Sequence, residues 1–159
     1  MERRGVSARV DTASRIIAAP AQAIYDAFID PDRQARWLPP TGMTARFDRF
    51  EPHPGGHYRM VLAYADGGAA HPGKFAADTD IAEGRFLVLE PESRIVQTAD
   101  FVSDDPAFAG TMTIEWAFDP VADGTRVTVA ARDVPAGISR QDHVAVLTST
   151  LANLAEFVE

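Results

Sequence analysis

The chain has 159 residues, 46% of them hydrophobic and 24% charged, with no cysteine and a net charge of −8. That length can bury one sizeable core without staples, and the missing cysteines exclude disulfides, thiolate catalysis and cysteine-held zinc or iron–sulfur centres. The acidic balance, with basic residues scattered among acids, argues against a nucleic-acid grip. No apolar run approaches the ~20 residues that span a bilayer. The basic start MERRGVSAR has no apolar stretch behind it, so a secretory signal is not expected and a cytoplasmic location is.

No repeat or linker divides the chain, so one domain over 1–159 is expected, with residues 1–8 as a flexible tail. Val10, Thr12, Ile16 and Ile17 suggest a first strand between Ala8 and Ala18. Pro20 suits the first position of a helix over about 20–29, where Ile24, Ala27 and Phe28 recur at helical spacing. Asp30-Pro31 restarts the chain as a cap and a first-turn proline. The short second helix carries Trp37 and stops at Pro39-Pro40.

From Met43 the period becomes two. Ala45 and Phe47 share a face, and after the turn Glu51–Gly56 a strand places Tyr58, Met60, Leu62 and Tyr64 opposite His57, Arg59 and Val61. Further strands are expected at about 73–90, 94–103, 111–119 and 125–133. Their turns fall at Glu90–Ser93, Asp104–Pro106 and Asp119–Gly124. Met112, Ile114, Trp116 and Phe118 alternate along one strand, and Val127, Val129 and Ala131 along its partner. Consecutive strands with tight turns imply antiparallel pairing. After Gly137, Ser139–Asp142 resembles a capping box with Asp in place of Glu or Gln. Val144, Leu147, Leu151, Leu154 and Val158 then form the apolar stripe of a long helix.

This order predicts an α+β fold: a curved antiparallel sheet of six to seven strands around a long C-terminal helix, with two short helices after the first strand. One helix cannot cover such a sheet unless the sheet curls around it. The gap left between them suits an apolar ligand.

The runs Ala19-Pro20…Ile24-Tyr25-Asp26-Ala27-Phe28, Pro31…Arg36-Trp37-Leu38-Pro39-Pro40 and Pro54-Gly55-Gly56-His57-Tyr58-Arg59-Met60 resemble the activator of heat-shock-protein ATPase homologue family. Gly84-Arg85-Phe86, Gly124-Thr125-Arg126-Val127-Thr128-Val129 and Ser149-Thr150-Leu151-Ala152-Asn153-Leu154 continue the likeness in the same order. The resemblance implies the helix-grip fold of the START-like, SRPBCC or Bet v-like superfamily. Its members include lipid and hormone binders, polyketide cyclases or aromatases, and co-chaperone domains, so the fold does not fix the activity. Where relatives have a small residue this chain has Val146, which would narrow the cavity if it faced inward.

Of the histidines, His53 and His57 flank Pro-Gly-Gly and cannot share a helix face, so no metal role is expected of them or of His71. His143 is expected at the surface or in a cap. No serine lies in Gly-x-Ser-x-Gly, and neither Gly-x-Gly-x-x-Gly nor a phosphate loop occurs, so no cofactor is expected. Asp78/Asp80 and Asp104/Asp105 read as a solvated face and a turn. The expected ligand-binding set is Trp37, Phe47, Tyr58, Met60, Tyr64, Phe101, Met112, Leu147 and Leu151, with no catalytic residue. Phe50, Phe75 and Trp116 belong to the same aromatic group. Tyr58 and Tyr64 offer hydroxyls to orient a ligand, Trp37 could close the cavity mouth, and strand parity leaves open whether Arg85 and Asp100 point inward.

The leading expectation is binding of a small hydrophobic or amphipathic molecule between the C-terminal helix and the sheet. A cyclase or isomerase acting in that cavity is the first alternative. The second is a co-chaperone that stimulates a heat-shock chaperone ATPase, although members of that kind carry an additional N-terminal domain that 159 residues do not hold. A homodimer is left open.

Overall fold

The computed structural model describes residues 9–40, 42–64 and 79–159. The expected tail at 1–8, and Phe75, His71 and Asp78, lie outside them. β1 (Val10–Ile17) leads into α1 (Ala21–Asp26), with Pro20 at the N-cap, in extended backbone, rather than at the first helical position. The helix ends at Asp26, short of the expected 29. The Ala27 and Phe28 amides reach back only three residues, to the Ile24 and Tyr25 carbonyls at 3.0 and 2.9 Å, and this tight turn closes it. In α2 (Pro31–Trp37) the Asp30 carboxylate accepts from the Asp32 and Arg33 amides at 2.9 and 3.3 Å, and Pro31 fills the first turn as expected.

β2 (Met43–Phe50), β3 (His57–Tyr64), β4 (Thr79–Glu90), β5 (Arg94–Phe101), β6 (Met112–Val121) and β7 (Gly124–Arg132) run as a meander. All seven strands pair antiparallel in the order β1-β7-β6-β5-β4-β3-β2. β1 and β2 are therefore opposite edges, and α1 and α2 carry the chain from one to the other. Register shifts at Phe47/Arg49 and Phe86/Val88 mark irregularities that bend β2 and β4. The turn expected over Asp119–Gly124 shrinks to Ala122-Asp123, because β6 continues through Pro120. The ladder with β5 ends at Ala117, so the amide that proline lacks has no strand to serve there.

α3 (Arg140–Val158) starts as expected, with Ser139 Oγ accepting the Asp142 amide at 3.1 Å. It buries Leu147, Thr150, Leu151, Leu154 and Ala155, and packs on β1, α2 and α1. Val146 lies outside that stripe and is 44% exposed, so it faces solvent and does not narrow the interior. Its neighbour Leu147 takes the inward position, about 100° away around the helix. Among the described residues no helix is long and apolar enough to cross a membrane.

Candidate functional site on the inner face of the sheet

Register decides which side chains share a face. Phe47 pairs with Met60, Met60 with Ala82, Leu62 with Asp80 and Ala82 with Phe101. Ala99 pairs with Met112, Ile95 with Trp116 and Trp116 with Val129. Opposed residues point the same way, so Phe47, Tyr58, Met60, Tyr64, Phe101 and Met112 all lie on one face. That face is the inner one, because Val127, Val129, Trp116, Phe118 and Tyr58 join Leu147, Leu151 and Leu154 of α3 in a single buried cluster. Met112, with Ala99 and Ala131, forms a second cluster flanked by Phe101 and Ile114. The expected residues are thus brought to one side, divided between two apolar groups.

Trp37 belongs to the core, not to a mouth. It is 1% exposed, its indole N–H donates to the Ala27 carbonyl at 3.0 Å, and its ring meets Phe28 at 4.8 Å and Trp116 at 6.1 Å. Phe28 joins the nest to Trp116 and Phe118 at 4.9 and 5.4 Å. Among the described residues, the Trp116 Nε1–H, buried in this nest, has no hydrogen-bond partner.

The two tyrosines expected to offer hydroxyls are both engaged. Tyr58 crosses Gly84 and donates to the Thr98 carbonyl at 2.5 Å, and burial holds its phenol up at about 12. Removing that hydroxyl should therefore act on stability: Tyr58→Phe is expected to lower unfolding free energy by about 0.5–1.5 kcal/mol, read by urea denaturation, with ligand uptake unaltered. Tyr64 donates to Asp80 Oδ2 at 2.9 Å. Asp80 is buried on the inner face, not on the solvated face expected of it, because its pairing with Leu62 fixes its parity. The Tyr64–Asp80 pair is a polar feature of the inner face that sequence reasoning missed.

His143 is likewise more than a cap. Its Nδ1 stands 2.7 Å from Asp11 Oδ2, and Arg9 grips the same carboxylate through two nitrogens at 2.9 and 2.7 Å. Arg140 approaches to 3.5 Å. Asp11 is 0% exposed, and the Arg9 hydrogen bonds lead in lowering its carboxyl to about 2, His143 adding to them and burial opposing. This hub ties the start of β1 to the first turn of α3. A carboxyl held below its unfolded value contributes stability above about pH 4 and loses it as pH falls toward 2. Asp11→Asn is expected to cost about 2 kcal/mol at neutral pH and progressively less as pH falls through about 2, as checked by chemical denaturation across that range.

Arg85 and Asp100 point away from the interior. Both lie on the outer face with Glu83, Arg59, His57 and Thr98, around a cleft of about 560 Å³. A second cleft, about 550 Å³, opens where the end of α2, the start of β2 and the C-terminal turns of α3 meet. It is lined by Arg36, Pro39, Met43, Asn153, Glu156 and Phe157 among others. Among the described residues no group of three His, Asp or Glu is placed to hold a metal ion.

A curved seven-stranded antiparallel sheet, gripped by one long helix over an apolar inner face, defines a helix-grip protein. Within that class the chain belongs to the activator of Hsp90 ATPase homolog 1-like family, whose profile matches residues 18–159. A solved protein of Chromobacterium violaceum is 27% identical, with a TM-score of 0.83 over 94% of this chain and 96% of its own. The AHSA1-like protein from Aeromonas hydrophila is 22% identical, with a TM-score of 0.71 over 94% and 92%. A protein of Nitrosomonas europaea shares the fold at 21% identity, with a TM-score of 0.71 over 93% and 92%. A search among curated proteins found no match.

Proposed function

We propose that the protein binds a small hydrophobic or amphipathic molecule between α3 and the inner face of β2–β5. One observation carries this reading: α3 packs on β1 and the short helices, while Met43, Phe47, Met60, Leu62, Tyr64 and Phe101 on the far half of the same face stay only partly buried. An apolar surface that its own helix does not fill is the kind of lining small ligands use, with few polar groups to orient them. The cleft between α2, β2 and α3 borders that half and offers a way in. Binding would use apolar contact with Phe47, Met60, Phe101, Met112, Leu147 and Leu151, and the Tyr64–Asp80 pair as a polar handle. Trp37 and Tyr58 would support the site from the core. Native mass spectrometry of protein purified from cells is expected to show an adduct of a few hundred daltons that organic extraction removes. Protein that stays free of adducts and takes up no apolar dye would contradict the reading.

The Tyr64–Asp80 pair favours a second reading, a cyclase or isomerase in which a buried carboxylate and a hydroxyl move a proton on the bound molecule. Turnover of a polyketide-like substrate that is lost in Asp80→Asn, with binding retained, would support it. The family's description raises the co-chaperone reading, and a heat-shock chaperone whose ATPase rate stays flat as this protein is added would remove it.

A further inference from the structure

We infer that the bound molecule carries a neutral hydrogen-bond acceptor, a ketone or ester carbonyl, received by the indole N–H of Trp116; this rests on the binding reading above. Trp116 is 4% exposed, yet its Nε1–H is without a hydrogen-bond partner among the described residues. Buried indole N–H groups ordinarily find an acceptor, and each one that does not asks for an explanation. The contrast lies within the same nest: Trp37, at 6.1 Å, has satisfied its N–H on the Ala27 carbonyl, whereas Trp116 has not. The side chains paired with Trp116 across the sheet, Ile95 and Val129, are apolar, as are Ile114 and Phe118 beside it on β6, so none of them supplies the missing acceptor. Trp116 lies on the same, inner side of β6 as Met112, which the binding reading places against the ligand, one strand beyond the β2–β5 half.

The surroundings set the chemistry of the acceptor. The Trp116 ring packs in an aromatic nest with Phe28 and Trp37, and an anion brought there would lose its hydration without gaining a counter-charge from those rings. A neutral carbonyl has little hydration to lose and gains a hydrogen bond in a low-dielectric setting. A ligand edged by such a carbonyl would fill the inner face with its apolar body and satisfy the indole with its oxygen.

The test uses the full chain and two probes of one shape, acetylnaphthalene and isopropenylnaphthalene, which differ by a carbonyl oxygen against a methylene. The ketone is expected to bind about 5-fold more tightly, the equivalent of ~1 kcal/mol for one hydrogen bond. Of the two indole N–H resonances in the NMR spectrum, that of Trp116 should move downfield with the ketone and not with the hydrocarbon. Trp116→Phe should retain uptake of both probes and lose the preference. If that variant fails to fold, the comparison in the unaltered protein decides alone. Equal affinity for the two probes, as expected if the ring face of Phe28 or a trapped water already holds the N–H, would overturn the inference and leave the binding reading standing. Uptake of neither probe would overturn both.

Discussion

Trp37→Ala is expected to lower the free energy of unfolding by about 3–5 kcal/mol, the range for deleting a large buried aromatic. The ring is closed off from solvent at the end of α2 and stands edge-on to Phe28 and Trp116. Its loss would leave a cavity where the helices bridging the two sheet edges meet the core. It would also leave the Ala27 carbonyl without the indole N–H, at the turn that closes α1. Urea denaturation followed by circular dichroism measures the effect. A loss below about 1 kcal/mol would mean that the nest collapses around the gap, and that α1 and α2 are held by other contacts.

The second large effect is expected at Gly84. A Cβ there would lie 1.8 Å from the Thr98 carbonyl oxygen and 2.9 Å from Tyr58 Cε1. The first of these neighbours is backbone and cannot move without disturbing the β4–β5 ladder, so Gly84→Ala is expected to cost about 3 kcal/mol, at the upper end for overpacking. The tyrosine ring lying across the glycine replaces the side chain that is missing from the strand. Removing the hydroxyl of Tyr58 in the same protein should not relieve the clash, because its principal partner is the carbonyl. Denaturation of the single and double variants tests this, and a double variant restored to the stability of Tyr58→Phe alone would mean that the strain lies against a ring held in place by its hydroxyl.

Those two residues also show how far the pattern of residue types reaches. Alternation along β3, β6 and β7 was enough to put Tyr58, Met60, Trp116 and Val129 on the inner face, because a strand with one buried side repeats every two residues. The stripe Leu147, Leu151 and Leu154 was legible for the same reason at a period of 3.6, whereas the facing of Val146 was left open and is decided only by its exposure in the fold. Asp80 was not legible. Two acids flanking a threonine look solvated, and only the pairing of Asp80 with Leu62, across a long connection, sets its direction. Arg85 and Asp100 stayed undecided for the same reason, until the register of β4 against β3 and β5 placed them on the outer face. The Asp11 hub lay further out of reach: Asp11 and His143 are 132 residues apart, and nothing local to either announces the other. Likewise, that the N–H of Trp116 meets no acceptor among the described residues depends on which groups the fold brings near, which residue types alone do not state.

The pH dependence and the packing effects concern the scaffold, whereas binding on the inner face is the central claim. Methionine methyl resonances test it most directly, since the chain has 4 methionines and Met60 and Met112 lie in different parts of that face. On addition of acetylnaphthalene, saturable shifts of both Met60 and Met112 are the predicted result. Shifts confined to Met43, at the cleft beside α2, or no saturable shift of any methionine, would contradict binding between α3 and the sheet.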